Sequence, residues 1–224
     1  MTELNLEAVD VDGAIREGAD AVSGDTRMSF LRKGALAGGA ALSGGAILSA
    51  VIPGIAQAKG NPPASFGKGD IGILNYALTL EYLESSYYNE VTSKGVVKTA
   101  AARTLLKTVT KDENAHVALL KKVLGSKAIK KPKFDFGKAS SSEAEFLATG
   151  YVLENTGVHA YLGQAPNIKT PAYLIAAAEI VTVEARHSGA FGVLTGNAIA
   201  PTPLDSGWTA SKVLTAVKGT GFLK

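Results

Sequence analysis

Four stretches of the chain repeat apolar residues at the spacing of one helix face, and in each the apolar stripe is broken by charge. The first follows a Pro-containing loop, Asn61–Gly69, with Asp70 as its predicted N-cap, and runs to about Val91. Its stripe is Leu74, Leu78, Glu81, Ser85 and Tyr88. The second covers Lys98–Leu124 and stops at Gly125, with the stripe Ala102, Leu105, Val109, Glu113, His116, Leu120 and Val123. The third starts near Ser142, with Glu145 completing a capping-box pattern, and shows Phe146, Gly150, Glu154, Val158 and Tyr161. The fourth opens at Thr170-Pro171 and shows Leu174, Ala177, Ile180, Glu184, His187 and Phe191. A short fifth segment, about Ser206–Lys218, carries Val213, Leu214 and Val217, with Trp208 expected to pack it onto the rest.

Few segments alternate as strands do, so the predicted class is all-α. About seven residues separate helices 1 and 2, and again helices 3 and 4, which suits antiparallel hairpins. The segment between helices 2 and 3, Gly125–Ser141, is much longer. Extended, it reaches about 56 Å, more than the roughly 40 Å length of the second helix. The predicted architecture is therefore a four-helix bundle of two hairpins joined by one long crossover, with a short C-terminal fifth helix.

Charge divides the chain a second way. Residues 1–26 hold seven acids and one base, Arg27, Arg32 and Lys33 form a basic spot, and Gly34–Ala58 has no charge at all. That order, ending in Ala56-Gln57-Ala58, reads as an export leader cleaved after Ala58. The run Thr26–Gly34 resembles a twin-arginine translocation signal at Arg27, Ser29, Phe30, Leu31 and Arg32, with Met28 in place of the second arginine. The alternative is a retained membrane anchor, but nine positions of that uncharged run are Gly, Ser or Pro, which favours cleavage. The expected organisation is leader 1–58, linker 59–69 and bundle 70–224, in an exported protein. The net charge of +3 then separates into −3 on the leader and +6 on the rest of the chain, 59–224. Neither value argues for nucleic acid. Contact with a membrane is expected only through an uncleaved leader, and the state of assembly is left open. The chain has no cysteine, which excludes disulfides, thiolate metal sites, a thiol nucleophile and lipoprotein attachment.

The charges inside the stripes carry the chemistry. Four carboxylates aimed at one bundle axis would repel, and each is costly to bury alone. A pair of divalent cations between them resolves both problems. Glu113-x-x-His116 and Glu184-x-x-His187 each place an oxygen and an imidazole on one helix face. Carboxylate with imidazole suits iron, manganese or zinc. The arrangement repeats. Glu81 precedes Glu113-x-x-His116 by nearly the interval at which Glu154 precedes Glu184-x-x-His187, and Tyr88 and Tyr161 each follow the lone Glu at the same spacing.

With all six positions in order and the crossover between them, the chain resembles the ferritin-like di-iron and di-manganese carboxylate proteins over about residues 70–195. The leader and the run Leu74–Tyr88 look like those of exported bacterial ferritin-like domain proteins. These are similar to plant desiccation-related proteins and more distantly to manganese catalases, and are not close to the cage ferritins. The resemblance implies two metal ions, iron or manganese. Glu113 and Glu184 would bridge them, His116 and His187 would cap one each, and Glu81 and Glu154 would be terminal ligands. It also implies reaction with dioxygen or hydrogen peroxide, as ferrous oxidation or peroxide removal in a protective, oxidoreductase role. The alternative is a non-enzymatic stress or desiccation protein that binds metal without turnover. Glu84 rivals Glu81 from a neighbouring stripe. Glu84, Tyr88, His159 and Tyr161 are the candidates for supporting contacts, with packing the competing reading for His159 and both tyrosines. The lysine-rich crossover is expected to be a solvated loop.

Overall fold

The computed structural model describes residues 60–224. The predicted leader and its cleavage site lie outside the described residues. Five helices follow in order: α1 Gly69–Lys94, α2 Ala100–Leu124, α3 Glu143–Gln164, α4 Pro171–Thr195 and the short α5 Ala210–Gly219. Among the described residues there is no strand, only one isolated antiparallel bridge between Phe134 and Leu223. The closest packing is α1 on α2 and α3 on α4, so the bundle is two hairpins joined by the 125–141 crossover. No described helix is long and apolar enough to cross a membrane.

The helix ends follow local rules with one correction. Thr99 and Ser142 accept hydrogen bonds from the Ala102 and Glu145 backbone N–H groups, as N-caps do. Gly125 ends α2 at φ 55°, a conformation that favours glycine. Asp70 does not cap its own helix; Lys68 holds the cap position without a side-chain bond. The Asp70 carboxylate instead accepts from the N–H groups of Lys169 (2.9 Å) and Thr170 (2.8 Å), at the start of α4. Glu143 does the same for the start of α2, accepting from the Lys98 and Thr99 N–H groups and the Thr99 hydroxyl. An acid in the first turn of one hairpin thus ties down the loop of the other, twice. The interval from Asp70 to Glu143 is the same as that from Glu81 to Glu154 and from Tyr88 to Tyr161. The bundle has approximate twofold internal symmetry.

The predicted apolar positions face the interior, except that Val123, Leu174 and Leu214 are only half-buried. The first helix departs from a simple amphipathic pattern, because Gly72–Ser85 are buried without a break. Additional layers cover its outer side. Buried Asn75 donates to the carbonyls of Phe66 (2.9 Å) and Lys127 (3.0 Å) and accepts from the Ile129 N–H, which anchors the crossover to α1. Tyr87 donates to the Ala139 carbonyl further along. The crossover lysines Lys127, Lys130, Lys131, Lys133 and Lys138 are exposed, in line with a solvated loop. The fifth segment begins its helix at Ala210 rather than Ser206, because Trp208 lies extended against α3. There the Trp208 N–H donates to the His159 carbonyl at 2.9 Å. A Cβ at Gly163 would come within 1.8 Å of the Trp208 carbonyl oxygen, so the contact requires glycine.

Candidate metal centre

Helix periodicity brings one turn of each long helix to the bundle axis at the same level. The side chains meeting there are Glu81 and Glu84 from α1, Glu113 and His116 from α2, Glu154 from α3, and Glu184 and His187 from α4. Glu81, Glu113, Glu154 and Glu184 are fully buried, and Glu84, His116 and His187 are 3%, 7% and 4% exposed. Two overlapping groups form. In one, ligand atoms of Glu81, Glu113, His116 and Glu184 all lie within 4.8 Å of one another; in the other, those of Glu113, Glu154, Glu184 and His187 do. Glu113 and Glu184 belong to both.

Each group centres on an imidazole Nδ1. His116 Nδ1 is 3.1 Å from Glu113 Oε2, 3.2 Å from Glu81 Oε2 and 3.2 Å from Glu184 Oε1. His187 Nδ1 is 3.1 Å from Glu154 Oε2 and 3.2 Å from Glu113 Oε1. A single N–H cannot point at three oxygens. Glu81 Oε2, Glu113 Oε1 and both Glu184 oxygens consequently have no aligned hydrogen-bond donor. Orphaned buried carboxylate oxygens cost several kcal/mol each. A cation among them would remove that cost, so the donor set fits a metal ion.

Without cations the cluster must hold protons. Burial, reinforced by the charges of Glu184, Glu113, Glu81 and Glu154, pushes the Glu84 carboxyl well above its ordinary range. Burial and the charge of Glu113 do the same to Glu184. Glu113 is pushed up to about 8 by burial and by the charge of Glu81. Burial lowers both imidazoles, but hydrogen bonds to the carboxylates outweigh it; the net effect raises His116 and brings His187 to about 10. Glu81 resists: burial raises it, and hydrogen bonding to His116 together with that imidazole's charge brings it below its usual value.

The tyrosines cross between halves. Tyr88 on α1 donates to Glu154 Oε1 on α3, and Tyr161 on α3 donates to Glu81 Oε1 on α1. Each therefore fixes the carboxylate of the opposite half, leaving its second oxygen facing the cluster. Both tyrosine hydroxyls thus end on cluster carboxylates. His159 is not at the cluster. Its ring stacks on Trp208 at 4.3 Å between centroids, and its Nδ1 meets the Ser206 carbonyl. Glu81, not Glu84, falls in a ligand-distance group.

Two residues that the sequence reading missed break the internal symmetry. Asp112 places Oδ2 3.3 Å from His187 Nε2, whereas the residue that precedes Glu184 in the other half is Val183. Gly157 stands in the second half at the position equivalent to Glu84, where a second carboxylate would otherwise be. A Cβ there would lie 2.8 Å from Glu184 Oε2 and 3.4 Å from Glu84 Oε1. The glycine therefore makes room for both carboxylates. A D-E-x-x-H pattern was the available signal for Asp112; nothing local marked Gly157.

A groove of about 930 Å³ runs between α2 and α4 and is lined by His116, His187 and Asp112. Its walls are largely apolar, with Ala101, Leu105 and Val193 among them.

Fold and site together define a four-helix carboxylate–histidine bundle. Residues 69–197 match the family model described as ferritin-like domain, and the chain belongs to that family. No curated protein matches it.

Proposed function

We propose that the cluster holds two metal ions, iron or manganese, and that the chain is an exported oxidoreductase that oxidises ferrous iron or removes peroxide. The observation that carries this reading is the set of buried carboxylate oxygens with no donor, arranged in two groups that share Glu113 and Glu184. Glu113 and Glu184 would bridge, Glu81 with His116 would complete one metal's ligands, and Glu154 with His187 the other's. Iron or manganese held there would supply redox chemistry toward dioxygen or peroxide. The chain's own part is positional. Tyr88 and Tyr161 hold Glu154 and Glu81 in place. Asp112 accepts the Nε2–H of His187, so that Nδ1 presents its lone pair to the cluster. Glu84, left neutral once four carboxylates have balanced two divalent ions, keeps a proton beside the site. The groove at both histidines gives a small molecule an approach to the cluster. Export rests on the leader pattern.

Metal analysis of the natively purified chain tests the reading, with about two ions per chain expected of a two-metal site. Consumption of dioxygen or peroxide should disappear in His116→Ala. A wild-type chain that takes up no metal overturns the metal centre. Two bound ions without turnover leave the non-enzymatic stress protein instead.

Because only His187 has a carboxylate on its outer nitrogen, the two ions should bind unequally. Asp112→Asn is expected to weaken the ion on the His187 side by about 10–100-fold and to leave the other nearly unchanged. A competition titration with a chelator reads both steps.

A further inference from the structure

Helix α4 has an outer face that does not suit solvent. Its only charged or histidine residues are Glu179, Glu184, Arg186 and His187, and two of these are buried in the cluster. Around the rest of its surface it is apolar or small, the composition of a helix covered on all sides. Yet Ala172, Ile175, Glu179, Thr182, Arg186 and Val193 are all exposed, Ile175 by 60% and Val193 by 55%. They recur at intervals of three, four and seven residues and so form one stripe. α2 shows the contrast, because its outer face carries Arg103, Lys107, Lys111, Lys121 and Lys122. The α4 stripe is a ridge between two depressions. One is the groove toward α2, and the other, of about 510 Å³, is bounded by Ile199 and Pro201.

We infer that this stripe is the contact between two copies of the chain, with α4 packed antiparallel on α4 about a twofold axis between Thr182 and Val183. Self-complementarity identifies the occupant. An interface with twofold symmetry must match its own reversed image. Reversed about that axis, Glu179 falls opposite the partner's Arg186, Arg186 opposite the partner's Glu179, Ile175 opposite the partner's Ala190, and Ala172 opposite the partner's Val193. The only two charges on the stripe thus neutralise each other twice over. Within one chain neither makes an ion pair among the described residues. The small side chains at 172, 178 and 185 allow close approach of the two helices. The inference does not depend on the metal centre.

Sedimentation of the full-length chain over a concentration series tests it. The wild type should be a dimer. Arg186→Glu or Glu179→Arg alone sets like charges opposite one another and should weaken association about tenfold or more. Glu179→Arg combined with Arg186→Glu restores opposite signs and should recover most of the loss. A helical melt on each variant checks folding, and both positions are exposed. A monomeric wild type overturns the proposal. So does a dimer that the single variants do not weaken, or one that the double exchange fails to rescue. The last two results would point to association through residues 34–58 or another face.

Discussion

Glu184→Ala is expected to empty the centre of both metals, whereas Glu154→Ala should leave about one ion per chain. The difference follows from membership of the two ligand groups. Glu184 belongs to both and Glu154 to one. Loss of a terminal carboxylate leaves the His116 group complete. Loss of a shared one removes an oxygen from each group and, on the proposed assignment, half of the bridge between the ions. The same pair of variants should separate in stability. A ligand present at about a thousandfold excess over its dissociation constant stabilises the folded state by about 4 kcal/mol. Wild type and Glu154→Ala should therefore melt at lower temperature when chelator is added, and Glu184→Ala should melt alike with and without it. Elemental analysis and a chelator-dependent melt check both expectations. Equal metal loss in the two variants would contradict the bridging assignment.

Stability is expected to respond to pH in opposite directions with and without metal. In the metal-free chain His187 stands near 10, above the ordinary imidazole value of 6.5, and Glu113 near 8, above the carboxyl value of 4.5. Each raised group binds its proton more tightly folded than unfolded. The stabilisation from His187 is complete below about 6.5 and is lost as pH rises through about 10; that from Glu113 is complete below about 4.5 and is lost as pH rises through about 8. Each proton retained only by the folded state costs about 1.4 kcal/mol of stability per pH unit of increase. The melting temperature of the chelated protein should fall steadily between pH 5 and pH 9. The loaded protein should show the reverse over the lower part of that range, because protons compete with metal for the same atoms. Calorimetric metal titration should also release protons, seen as a heat that changes with the buffer's ionisation enthalpy.

The interval of three between Glu113 and His116, and between Glu184 and His187, puts two side chains on one face of any helix. That consequence needs no neighbour, so local sequence determined it. The same holds for the stripes, for the stop at Gly125, for the start at Thr170-Pro171, and for a connection, 125–141, long enough to cross the bundle. With the stripes established, the only common interior brings their interrupting charges together.

What the tertiary structure alone decided is which side chain of one helix faces which atom of another. Asp70 looks like the cap of its own helix, yet it bonds the distant start of α4, because the hairpins meet end to end there. Tyr88 and Glu81 lie on one helix face, yet Tyr88 donates to Glu154 across the axis. Asp112 is an ordinary helix-surface acid until α4 carries His187 to within 3.3 Å of it. Gly157 is conspicuous only once Glu84 and Glu184 crowd the space its side chain would fill. Spacing along one chain fixes direction around one helix axis. Distance between helices depends on how all the side chains pack at once, and it is that distance which sets hydrogen bonds, protonation and the inequality of the two halves.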